Sequence, residues 1–185
     1  MATKETLLTS EAFIKGIDSI SDNVAGKYIL PSIREAQEVG LRRIVGSALL
    51  AKLKTLAAEK IAGSTEEIPE PYASLLSLVR YYLAYAALVE VTNRVTFKVA
   101  NAGVVRSEDE NLAVADSTDM YRKAAYYQAK ADSNCADIQR FCLANRSALP
   151  ELSEGDCDQI RTNLYSAASC GLFLGGPRGK RLPRI

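Results

Sequence analysis

A chain of 185 residues, 48% hydrophobic and 24% charged, is long enough for one buried core and has the balance of a soluble globular domain. A formal net charge of +1 excludes a uniformly basic nucleic-acid binder, and the absence of histidine removes the commonest general base, metal ligand and pH switch. The cysteines Cys135, Cys142, Cys157 and Cys170 form no CxxC pair, so they read as free thiols in a reducing compartment rather than as a metal site.

The segment Met1–Thr6 lacks the apolar stretch of a signal peptide, which predicts synthesis in a cytoplasm without secretion by that route. Ser10 ahead of Glu11 predicts a helix cap, with a short helix through Phe13 and Ile17 ending near Asp18. A second helix is expected from about Tyr28, with Pro31 in its first turn, where a missing N–H does no harm. Ile29, Ile33, Ala36, Gly40 and Ile44 recur along it at helical spacing. Gly46 ends that helix and Ser47 is expected to cap the next, which carries Leu49, Leu50, Leu53, Leu56 and Ile61.

Residues 63–71 form a polar loop with two prolines, Pro69 and Pro71. Tyr72–Val91 then approaches the length of a membrane span, but Arg80 near its middle is costly in lipid. It is therefore expected as the central helix of a bundle. Val95-Thr96-Phe97-Lys98-Val99 alternates and is β-branched, Asn101-Ala102-Gly103 is a turn, and Val104-Val105 follows. Residues 94–106 are accordingly expected as a hairpin or extended projection. A last long helix is expected from Asp116 or Ser117 to about Asn145, with Met120, Ala124, Tyr127, Ala131, Cys135, Ile138 and Cys142 on one face. On such a helix Cys135 and Cys142 lie about two turns apart, too far for a disulfide.

The chain closes on Pro177, Arg178, Gly179, Lys180, Arg181, Leu182, Pro183, Arg184 and Ile185, whose last eight residues carry +4. Such a segment buries too little apolar surface to fold alone, and reads either as a frayed terminus or as an arm that docks on a neighbour or a polyanion. Leu182 and Ile185 favour a protein groove. The glycines at 175, 176 and 179 have the wrong spacing for a phosphate-binding loop. Glu66/Glu67, Glu108/Asp109/Glu110 and Asp156/Asp158 lie in expected loops and read as solvated charges rather than an acid/base pair. The groups Tyr81/Tyr82/Tyr85 and Tyr121/Tyr126/Tyr127 have the chemistry to stack bases, but their helical spacing suits core and interface positions better.

These residues predict a mainly α fold: a bundle of about four to five helices over residues 1–152, a small projection at 94–106, and a C-terminal extension over 153–185. They predict no enzyme, no cofactor and no metal.

The order Tyr28-Ile29-Leu30-Pro31-Ser32-Ile33-Arg34-Glu35-Ala36-Gln37, Arg43-Ile44-Val45-Gly46 and Leu49-Leu50-Ala51-Lys52-Leu53 resembles the opening of head-to-tail connector proteins of tailed bacteriophages. It is most similar to those of phages infecting gut Bacteroidales, including the crAss-like group. The long apolar helix, Asn101-Ala102-Gly103-Val104-Val105 and the tyrosine-bearing helix ending near Leu149-Pro150 extend the resemblance over about residues 7–152.

The resemblance implies a virion protein at the head–tail interface. It would form a homo-oligomeric ring, a dodecamer, beneath the portal protein, contact adjacent connector or tail proteins, and pass double-stranded DNA through its lumen without reading sequence. No membrane is involved. It carries no catalytic residues. It implies that Phe97, Lys98, Asn101, Gly103 and Arg106 face the lumen or an adjacent subunit, and that Pro177, Arg178, Lys180, Arg181, Leu182, Arg184 and Ile185 reach the portal or a neighbour. A DNA-packaging factor resembling a small terminase ring, with the basic arm on DNA, is the alternative.

Overall fold

A computed structural model describes residues 5–18, 26–100, 103–106 and 117–153 of the chain. The expected C-terminal arm, Asn101, and the carboxylates at 108–110 and 156–158 lie outside these residues. The fold is mainly helical.

The first helix, α1, spans Glu11–Ile17. Ser10 caps it as expected, its Oγ accepting the Phe13 N–H at 3.2 Å. Helix α2 spans Gly26–Glu35 and already includes the two residues before Tyr28. Pro31 is thus in the helix body rather than its first turn. Its missing N–H is one break in the ladder; the Ser32 hydroxyl, donating to the Tyr28 carbonyl at 2.8 Å, is a second local adjustment.

The single helix expected up to Gly46 is interrupted. Residues Ala36–Leu41 form a π-helical turn before α3, Arg42–Val45. A π turn bonds five residues back, as the Arg42 N–H does to the Gln37 carbonyl. The step from Ala36 to the next core position consequently becomes five residues. Leu41 is fully buried where an uninterrupted helix would have placed Gly40. The same wide turn carries Gln37 inward, the largest fully buried polar side chain among the described residues.

Gly46 ends α3 at φ 83°, ψ 166°, a conformation that favours glycine, and also stands as N-cap of α4, Ser47–Ile61. Ser47 is therefore the first residue of α4, and not its cap. Helix α4 closes on Gly63 at φ 93°, with the Gly63 N–H bonded to the Lys60 carbonyl and the Ser64 N–H to that of Glu59, a Schellman closure. Leu49, Leu50 and Leu53 are buried as the pattern requires, but Ile61 is 72% exposed.

Helix α5, Tyr72–Thr96, continues one turn beyond its expected end and takes up Val95 and Thr96, which the sequence pattern assigns to extended structure. At about 37 Å it is the axis of the fold and packs on both α6 and α2. By length and composition Tyr72–Val95 is apolar enough to cross a bilayer. In the fold, Leu75, Val79, Leu83, Ala84, Ala87, Leu88 and Val91 are buried against other elements, while Arg80 stacks on the Phe13 ring at 3.7 Å.

Strands β1, Phe97–Ala100, and β2, Gly103–Arg106, pair antiparallel with Phe97 opposite Arg106 and Ala100 opposite Gly103. Among the described elements other than each other, the pair has its main contact with α5. Helix α6 spans Ser117–Ala144, close to its expected bounds. Short 3-10 turns at Arg146–Ala148 and Pro150–Ser153 follow.

Two apolar clusters share α5. One joins α3, α4 and the second half of α6 around Leu41, Leu53, Leu83 and Ile138. The other joins α1 and α2 to the far end of α5 around Ile14, Ile29, Ile33 and Leu88, with Tyr127 of α6. Side-chain ties fasten the ends. Tyr127 donates to Asp18 at 2.6 Å, with Lys123 also on Asp18 at 2.8 Å. Tyr72 donates to Glu151 at about 3 Å, Arg94 pairs with Glu35, and Lys54 with Glu38. Replacing Asp18 with Asn removes the charge that holds Lys123 and weakens the Tyr127 bond. The expected loss is about 1–2 kcal/mol in urea denaturation, with Tyr127→Phe adding little further in that background.

Candidate functional site

The π turn, α5 and α6 enclose an open groove of about 540 Å³. Its walls come from Glu35–Ile44, from the Tyr82–Glu90 stretch of α5, and from the Gln128–Cys135 stretch of α6. The groove follows from the wide turn. By displacing Gly40 from the core, that turn presents a surface without a side chain, and Tyr82 fills the space. A Cβ added to Gly40 would lie 2.6 Å from the Tyr82 hydroxyl oxygen. Val39 beside it is exposed, so an apolar wall remains open.

The groove is acidic in balance: Glu35, Glu90 and Asp132 line it against Arg43. Glu35 is paired with Arg94. Neither Glu90 nor Asp132 has an ion-pair partner among the described residues, although Asp132 accepts a hydrogen bond from Gln128 at 2.8 Å. Burial pushes the Tyr82 hydroxyl up to about 12, with Cys135 and Asp132 adding to it and Arg43 opposing. Burial and then Asp132 also raise the Cys135 thiol. Both shifts favour the neutral form of these two groups in the groove wall. Neither Cys135 nor Cys142 is in a disulfide.

Burial, followed in each case by a carboxylate hydrogen bond, likewise raises Tyr72 and Tyr127 to about 12. A tyrosine held above its unfolded value of about 10 favours the protonated fold. Its contribution is complete below pH 10 and is lost as pH rises through 12. Denaturation midpoints are therefore expected to hold steady to about pH 10 and to fall between pH 10 and 12. Tyr82→Phe should make that fall shallower.

A second recess of about 470 Å³ lies between the N-terminal segment Leu7–Ser10, the end of α4 and the start of α5, and includes Ile61, Ile68 and Leu76. The buried Thr9 hydroxyl there has no hydrogen-bond partner among the described residues. Exposed aromatic residues mark a third area. Tyr121 is 70% exposed and Tyr126 half exposed, with the Lys123 and Lys130 ammonium groups each 5.6 Å from the Tyr126 ring. The tyrosine groups thus divide, Tyr82 and Tyr127 entering the core while Tyr81, Tyr121 and Tyr126 stay at the surface.

Of the expected projection residues, Phe97 and Lys98 fall on β1, and Gly103 and Arg106 on β2. Pro177, Arg178, Lys180, Arg181, Leu182, Arg184 and Ile185 lie outside the described residues. Glu66 and Glu67 are exposed, in keeping with solvated charges. No cluster of three or more metal-ligating side chains occurs among the described residues. The sequence pattern missed Gln37, Leu41 and the groove itself.

No curated protein and no solved structure matches the chain. A family model described as a family of unknown function, DUF6712, matches residues 41–161, from the end of the π turn through α6 and beyond. With more than half of its length matched, the chain belongs to this family, DUF6712.

Proposed function

We propose that the protein is a structural subunit of a ring at the head–tail interface of a tailed-phage virion, seated beneath the portal and extending its DNA channel. The observation that carries this reading is the ordered resemblance over residues 7–152, from the Tyr28–Gln37 opening through the long apolar helix to Leu149-Pro150. The helical body suits the role. A heterologous contact repeated by rotation closes into a ring when the angle permits, and a body with exposed apolar positions, among them Leu30, Val39, Tyr81 and Tyr121, has surface for neighbours. The near-neutral net charge suits a channel, because strong phosphate contacts add salt-dependent affinity that would hold DNA in place.

Cryo-electron microscopy of the full chain mixed with its cognate portal tests the reading. A ring capping the portal is the expected result, and a protein that ignores the portal overturns it. Deleting residues 175–185 is expected to leave the helical content unchanged in circular dichroism and to abolish portal attachment. Normal attachment of that truncation would remove the arm from the proposal.

The packaging-factor alternative is favoured by one observation, the exposed Tyr121 and Tyr126 beside Lys123 and Lys130 on α6, a pairing that suits stacking and phosphate contact. It requires tight, salt-sensitive DNA binding that is lost on removing residues 178–185. Absence of DNA binding at moderate salt excludes it.

A further inference from the structure

The groove between the π turn, α5 and α6 pairs an apolar wall with an acidic rim. Val39, Ala86 and Val89 supply the first, and Glu90 and Asp132 the second, with Arg43 the one unpaired cation in the lining and no ion pair to either carboxylate among the described residues. The net acidic balance and the apolar wall favour an occupant that brings both positive charge and aliphatic side chains. Nucleic acid is a poor fit, because its phosphates would meet these carboxylates. The chain itself carries the complement. Residues 177–185 place Arg178, Lys180, Arg181 and Arg184 around Leu182 and Ile185 with no acidic residue among them.

We propose, resting on the ring reading above, that this groove receives residues 177–185 of a neighbouring copy of the chain, with Leu182 against Val39, Ala86 and Val89 and the flanking cations on Glu90 and Asp132. About 25 residues separate Ser153 from Arg178 and reach at most about 80–90 Å when extended, so the tether does not confine the segment to its own copy. Each rim pair is weak alone because it is solvent-exposed. A closed ring offers every segment an adjacent groove at high local concentration, which lets several weak contacts act together. The contact should weaken with salt.

The test uses the full chain with p-benzoylphenylalanine at position 182, as an equal mixture of light and nitrogen-15-labelled copies with cognate portal present. Photo-adducts are mapped by mass spectrometry. The expected adducts join light to heavy chains at Val39, Ala86 or Val89. Glu90→Lys with Asp132→Lys should lower their yield about tenfold, and Arg181→Glu with Arg184→Glu should restore it. Circular dichroism checks that both variants fold, and Asp132→Asn serves as the milder substitute.

Adducts within single copies, adducts on other surfaces, or a yield indifferent to charge reversal would each overturn the proposal. The two readings fail separately. A ring on the portal with adducts elsewhere removes the groove assignment and leaves the connector. Inter-copy adducts in the groove without portal attachment keep the assignment and remove the connector.

Discussion

Replacing Gln37 with Leu is expected to destabilise the protein by about 2–4 kcal/mol, although leucine is the more apolar residue and the site is fully buried. The amide works in both directions. Its Oε1 accepts the Leu8 N–H at 2.9 Å, and its Nε2 donates to the Thr6 carbonyl at 3.1 Å and to Glu38 at 3.0 Å. It thereby fastens the segment before α1, some thirty residues away in sequence, to the π turn. Leucine offers no acceptor, so the Leu8 N–H is stranded where Leu8 itself is buried, and an unmet buried donor costs more than a made hydrogen bond contributes. Gln37→Glu would keep the acceptor but set a carboxylate against the Thr6 carbonyl and Glu38, and should also destabilise. Urea denaturation gives the magnitude. Hydrogen exchange at the Leu8 amide gives the cause, and should accelerate more than exchange in α4. An unchanged Leu8 exchange rate would show that the tie does not bear on stability.

The second large effect is a sign reversal at Gly40. Alanine in place of glycine within a helix ordinarily stabilises by about 0.5–1 kcal/mol. Here the added methyl would stand 2.6 Å from the Tyr82 hydroxyl. Tyr82 is 9% exposed and its ring packs among core residues, so the methyl must push the hydroxyl end toward the groove that it borders. Overpacking costs about 1–3 kcal/mol, which offsets that gain and leaves Gly40→Ala destabilising by up to about 2.5 kcal/mol. Removing the hydroxyl removes the clash, because the next atoms of the Tyr82 ring lie 3.7 and 3.9 Å away, at ordinary contact. In a Tyr82→Phe background Gly40→Ala should therefore become neutral or stabilising. A double-mutant cycle reads the coupling directly. Additive effects would mean that the turn relaxes away from Tyr82 at no cost. The cycle bears on function as well, since Gly40 and Tyr82 shape the groove proposed to hold the basic segment.

These two residues mark the division between local and tertiary information. The sequence by itself determined what depends on neighbours a few positions away. Ser10 caps α1, Gly46 and Gly63 stop helices because only glycine takes their backbone conformation readily, and the period of α6 survives from Tyr127 to Cys142. The mainly helical class follows from that periodicity. Where local preference and packing compete, the tertiary structure decided. The β-branched pair Val95-Thr96 is helical as the continuation of α5, and Ser47 cedes the capping position to Gly46. The π turn is the largest such case. Nothing in the spacing of Ile29, Ile33, Ala36, Gly40 and Ile44 announces a five-residue step, since the pattern closes equally well without one. The step exists in the fold because it carries Leu41 into the core beside α5 and α6 and Gln37 into reach of Thr6 and Leu8. The groove has the same origin. Its walls come from residues 35–44, 82–90 and 128–135, which no local pattern brings together, and its acidic balance arises only when three helical segments are set side by side.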